Sequence, residues 1–240
     1  MRGPVEELRL FARASMLDPV PQDHAESPRQ LRRRRVVVAA TFVVGASVLT
    51  WALRIPPGDP LFYAVTLLLA VVWTVGAFAS GPMHLGRAWT RAGGTARPGV
   101  QGLALGVLVV AVFVVGGLAV AQVPVLRAPV LDLLDHASAG SLPLVALLTA
   151  LNSVAEELYF RGAVYAAIPR RAAVWATTLL YTVTVVGSGV PLLLLAAAVL
   201  GLVTALQRRV TGGILGPVVT HLVFSLGMLL VLPPVLHVGS

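Results

Sequence analysis

The sequence predicts an all-α fold, a polytopic transmembrane helical bundle of about seven spans, each near the ~20 residues that a bilayer crossing requires. Three observations lead there. The chain of 240 residues is 57% hydrophobic and only 12% charged, with a mean hydropathy of +0.87, far more apolar than a soluble domain. Its apolar residues come in long runs. Its arginines collect in every second connection between those runs, the pattern that the positive-inside rule produces in a multi-pass protein.

Composition closes off several classes of function. All 18 basic residues are Arg and the net charge is +8, but no base-stacking motif accompanies the charge, so it reads as a topology signal and no nucleic-acid partner is expected. Without Cys there is no disulfide framework, thiolate nucleophile or Cys-ligated metal. His24, His84, His136 and His237 fall outside the apolar runs and read as solvated loop residues. No His-Glu-x-x-His is present, and no cofactor or metal is expected.

Residues 1–35 read as a basic cytoplasmic arm with eight Arg, four of them consecutive at Arg32 to Arg35. A short amphipathic piece from Val5 to Met16 precedes a flexible stretch broken by Pro19, Pro21 and Pro28. Such an arm suits anionic lipid, which attracts each Arg by roughly 1 kcal/mol near the inner leaflet. Interspersed acidic residues and the absence of a small-residue cleavage site argue against a signal peptide.

Residues 36–141 hold three expected spans, Val36 to Leu53, Pro60 to Ser80 and Gly99 to Ala121. They end in Val123 to Leu134, whose Arg127, Asp132 and Asp135 suit an interfacial or re-entrant segment. Residues 142–232 supply Leu142 to Ile168, the short Ala172 to Val186, Val190 to Leu206 and Gly213 to Leu232, before a tail at 233–240. With the N-terminus cytoplasmic in the cell membrane, Arg87, Arg91, Arg97, Arg170, Arg171, Arg208 and Arg209 join the arm inside. Only Arg54 and Arg127 lie outside.

The fourth span carries the unusual chemistry, Asn152-Ser-Val-Ala-Glu-Glu-Leu-Tyr-Phe-Arg-Gly162. An ionised group at membrane depth costs at least a few kcal/mol, so Glu156, Glu157 and Arg161 imply a partner or a use. Glu157 and Arg161 are i and i+4 on one helix face and can neutralise each other, while Glu156 projects about 100° away. Glu156 is thus the carboxylate least served by the cation and the candidate general base for activating water. A buried cluster that merely pins helices together is the competing reading, but it leaves the second Glu without a reason. His221 lies 12 residues beyond Arg209, about 18 Å along the last span; Glu157 lies 13 residues before Arg170, about 20 Å along the fourth. The imidazole and the carboxylates should meet at one depth.

The string Val154 to Gly162, with its Glu156-Glu157-x-x-x-Arg161, resembles the first signature of the intramembrane glutamic endopeptidases, the family of the CaaX prenyl proteases and the bacterial CAAX-protease and bacteriocin-processing (CPBP, Abi) proteins. The approach Thr211-Gly-Gly-Ile-Leu-Gly-Pro217 to His221 resembles the family's last signature, His-x-x-x-Asn. The likeness covers about residues 142–230 and departs at two places. Tyr181-Thr-Val-Thr-Val185 stands where the family has Phe-x-x-x-His, so the second-signature His is Val185, and Ser225 stands for the final Asn. The resemblance implies Glu156 as base, Glu157 and Arg161 as its supporting pair, His221 as an oxyanion donor and Ser225 as a shorter substitute donor.

Three functions follow in order of support. One is an intramembrane endopeptidase that hydrolyses a peptide bond of a membrane-associated substrate at the cytoplasmic side with glutamate-activated water. The second is a catalytically silent relative, a membrane scaffold, immunity or binding protein, for which Val185 and Ser225 speak. The third, a small transporter, lacks the inverted repeat of hydropathy that such folds carry.

Overall fold

The computed structural model describes residues 3–22, 24–56, 58–138 and 141–237; the side chains of 132, 133, 135–138 and 237, hence those of Asp132, Asp135, His136 and His237, lie outside the description. It is a helical bundle, as expected. The helices are α1 (Pro4–Met16), α2 (Pro28–Ala52), α3 (Pro60–Ser80), α4 (Gly99–Ala121), α5 (Pro124–Ser138), α6 (Leu142–Glu157), α7 (Tyr165–Ala167), α8 (Arg170–Thr184), α9 (Pro191–Thr211) and α10 (Leu215–His237). A two-residue hairpin, β1 (Ala88–Trp89) against β2 (Thr95–Ala96), decorates the connection between α3 and α4. Among the described residues, six helical stretches are long and apolar enough to cross a membrane. The expected seventh, α8, has only 15 residues, which is about 22 Å of helix against a hydrocarbon core of about 30 Å.

Helix starts are written locally. α2 begins at Pro28, eight residues before the apolar run, because Ser27 and Gln30 form a capping box: the Gln30 amide donates to the Ser27 hydroxyl at 3.3 Å and the Ser27 amide to the Gln30 side chain at 2.8 Å. The four consecutive arginines are therefore helical. Three of them are consumed by protein. Arg34, 1% exposed, pairs with Glu26 and donates to Ser80 at 3.1 Å, Arg33 donates to the Ala79 carbonyl and Arg35 to that of Ala167.

Between helices, close approach replaces the hydrophobic drive that lipid cannot supply. The Trp73 ring of α3 lies on Gly45 of α2, where a Cβ would collide with it, and stacks on Tyr159 at 4.4 Å. Gly102 and Gly106 on α4 admit Val219 and Val223 of α10, and Gly227 admits Val110.

One end of the bundle is tied into a plug. The Val20 amide donates to the Val210 carbonyl at 2.9 Å, Arg87 to Thr211 at 2.9 Å and Ile214 to His84 at 2.9 Å, while the Arg209 guanidinium donates to Met16 at 2.9 Å. Residues 17–22 and 24–27, expected to be part of a flexible arm, thus form a strap tied by the Val20 amide and by the Gln22 and His24 side chains to the backbone carbonyls of Val210, Arg209 and Gly212 respectively. His24 and His84, expected as solvated loop residues, are half-buried and stacked with ring centroids 3.7 Å apart, and His24 Nε2 lies 2.9 Å from the Gly212 carbonyl. Burial, then the charges of His24, Arg208 and Arg34, hold the His84 imidazole below its ordinary value against the opposing pull of Glu26. A histidine depressed in the fold contributes stability above its unfolded pKa, about 6.5, and loses it as pH falls through the folded value. Proteolysis of the strap in detergent micelles should accelerate between pH 7.5 and 5.5, and His84→Gln should flatten that pH dependence.

Candidate active site

The fourth span is not a uniform helix. α6 ends at Glu157 and the chain continues as a π-helical turn, Leu158–Val164, in which the Tyr165 amide reaches back five residues to the Phe160 carbonyl. Such turns gather at functional sites because they re-aim side chains within an otherwise regular helix. All the turn's residues from Tyr159 to Val164 are buried.

Glu157 and Arg161 form the expected i,i+4 pair. Arg161 Nη1 donates to Glu157 Oε1 at 3.0 Å, and both side chains are 0% exposed. The guanidinium is held further by donating from Nη2 to the Gly201 carbonyl of α9 at 3.0 Å and by lying over the Tyr181 ring at 4.8 Å. On the other side, His221 Nδ1 approaches the same Glu157 oxygen at 2.9 Å. An ionised carboxylate only accepts hydrogen bonds, so Nδ1 carries the proton of that contact. Nε2 then points toward Glu156, 3.9 Å from its Oε2.

Glu156 is the member that faces open space. Its side chain is 19% exposed and lines a cavity of about 600 Å³, whose walls also contain Tyr181, Thr184, Val185, His221 and Ser225. Volumes of about 300–1,000 Å³ are those of ligand sites. The structure brings the five candidate residues around one cavity floor, with Glu157 and Arg161 behind it rather than in it. Ser225 lies one helical turn beyond His221. Val185 ends α8 at the cavity wall, and the hydroxyl of Thr184 is spent on the Tyr181 carbonyl at 2.6 Å.

Two contributors were not anticipated. Tyr181 donates its hydroxyl to Glu156 Oε2 at 2.8 Å. The only sequence signal was a Tyr where the resemblance has Phe, and it sits in the same signature that lost its His. Arg208, expected in the cytoplasmic connection after Leu206, is buried, donates from Nε to the Arg161 carbonyl at 2.8 Å and covers the Tyr165 ring at 5.0 Å. α9 runs past Leu206 to Thr211, which carries Arg208 into the bundle.

The helical membrane bundle shields a Glu–Arg pair behind a second, cavity-facing Glu and an imidazole. Residues 138–227 match the family described as type II CAAX prenyl endopeptidase, Rce1-like. This part of the chain, which holds every residue of the cluster, is similar to the CAAX-protease family. Nothing among curated proteins or solved structures matches the chain.

Removing one partner of a buried ion pair costs about 3–5 kcal/mol because the other is left uncompensated. Arg161→Leu should therefore lower the unfolding midpoint in detergent strongly. Glu157→Gln, which keeps an oxygen acceptor, should lower it less.

Proposed function

We propose that the protein is an intramembrane endopeptidase in which Glu156 activates water for attack on a peptide bond. The observation that carries the reading is the pairing of a cavity-facing Glu156 with His221 Nε2, 3.9 Å away, on a floor whose other carboxylate is already occupied by Arg161 and His221 Nδ1. When both ring nitrogens of His221 carry a proton, two carboxylates face two cations, and the cluster is neutral as its depth favours.

The residues then divide the work. Glu156 takes a proton from water as the oxygen attacks the carbonyl carbon, and later gives it to the departing amine as the C–N bond breaks. His221, fixed by Glu157, offers Nε2–H to the oxygen that becomes negative, and Ser225 offers a hydroxyl beside it. Tyr181 holds the Glu156 carboxylate in place. The hydrogen bond from Tyr181 supports the idea that it steadies the base where the family's second-signature His is Val185.

The alternative, a silent relative that binds rather than cuts, is favoured by Val185 and by the Tyr181 hydroxyl resting on Glu156. Cleavage of a membrane-anchored apolar peptide in proteoliposomes separates the two. Glu156→Gln should lose at least about 10²-fold in rate with its unfolding midpoint kept, and cleavage indifferent to that change removes the base. Tyr181→Phe, which keeps the ring packing, should cost about tenfold, the worth of one hydrogen bond of about 1.4 kcal/mol.

Restoring the lost members provides an independent measurement. Val185→His combined with Ser225→Asn should raise the cleavage rate, by about tenfold or more if the new imidazole shares the proton transfer. Activity in that double variant alone, with none in the parent, favours the silent reading.

A further inference from the structure

We propose that substrate reaches Glu156 from the membrane face opposite the arginine-rich connections, as an apolar segment anchored in that leaflet and cut at an interior bond. The inference rests on the peptidase reading for what happens at Glu156, but the direction of entry stands on geometry alone.

The cavity is blind at one end. Behind Glu156, the fully buried Glu157 and Arg161, the Phe160 ring and the Arg208 bond to the Arg161 carbonyl fill the space beneath the strap and the connections that carry Arg87 and Arg209. From the floor the walls rise the other way. They follow the end of α2 at Leu53, the start of α3 at Phe62, the first half of α6 at Thr149, the turn after α8 at Ser188, the start of α9 at Leu193 and α10 at Leu229. Every one of these lies toward the arginine-poor end. The positive-inside rule puts the arginine-rich end in the cytoplasm, so the mouth opens on the far side. This reverses the cytoplasmic access expected from sequence.

The wall formed by α8 is also short. α8 stops after 15 residues and passes through a short turn, Val186–Ser188, to reach α9. There Gly187 lies against α2, where an added Cβ would meet the Thr50 hydroxyl at 3.3 Å. A segment lying in that leaflet enters over the shortened wall without crossing a polar surface.

The lining describes what fits. Leu, Val, Ala, Phe and Trp side chains dominate it, Glu156 is the only carboxylate among the described lining residues, and no Arg or Lys is among them. A terminal carboxylate at this depth would find no free cation, because His221, which lines the floor, is already matched by Glu157 and Glu156. An interior bond flanked by apolar residues has no such cost.

The chain has no Cys, so single cysteines report without background. Ser188→Cys at the rim, Thr149→Cys in the wall and Thr90→Cys beside the β-hairpin are each exposed to a membrane-impermeant maleimide in intact cells and again after permeabilisation. Ser188→Cys and Thr149→Cys should label in intact cells, and Thr90→Cys only after permeabilisation. Labelling of Thr149→Cys from the Thr90 side overturns the proposal. So does a Thr149→Cys that stays unlabelled in both conditions while Ser188→Cys reacts, since the wall would then be closed to entry. Labelling needs no turnover, so a catalytically silent protein still gives the expected pattern; a failed pattern leaves the Glu156→Gln comparison intact.

Discussion

The rest of the molecule is arranged around a single buried oxygen, Oε1 of Glu157, which accepts from Arg161 within its own span and from His221 of the last one. In hydrocarbon a carboxylate without partners is so costly that the helices bearing its partners have little freedom to move apart. Arg161 extends the linkage to α9 through Gly201 and, over its ring face, to Tyr181 of α8. Four elements therefore meet where the charge is, and the cavity is the space they leave on one side of it. The arrangement separates two tasks between adjacent residues: Glu157 is consumed in holding the bundle together, and Glu156 is left available.

The two ends of the bundle differ for a physical reason. Arginines at one end find carbonyls, Glu26 and aromatic faces, so the strap, the α3–α4 connection and the α9–α10 turn are bonded into a plug. The other end has few such groups and its connections meet mainly through apolar contact, for example Val190 with Leu236 and Val130. The cavity opens at that end. Within the plug, most of the arginine quartet serves protein contacts.

The second signature illustrates how a site can be altered without being dismantled. Val185 occupies the cavity wall where an imidazole would reach the floor, while the tyrosine one turn earlier supplies a hydroxyl to the same Glu156. A phenol can position a carboxylate but is a poor proton acceptor near neutrality. The wall thus offers Glu156 a hydrogen-bond donor and no second imidazole among its described lining residues.

By itself the sequence determined what is local or additive: the helical membrane class, from run length and hydropathy; the Glu157–Arg161 pair, from i,i+4 spacing; and the common depth of His221 and the carboxylates, from counting along helices between arginine-rich ends. Tertiary structure alone decided which nitrogen of His221 meets which glutamate, that Tyr181 reaches Glu156, that Arg208 turns inward, and that the fourth span loosens into a π-helical turn. Those outcomes depend on how helices rotate and approach one another, which is set by glycine contacts such as Gly45 under Trp73 and Gly102 beside Val219. No periodicity along one strand of sequence encodes the angle between two helices, and so the direction in which the cavity opens was legible only once they were packed.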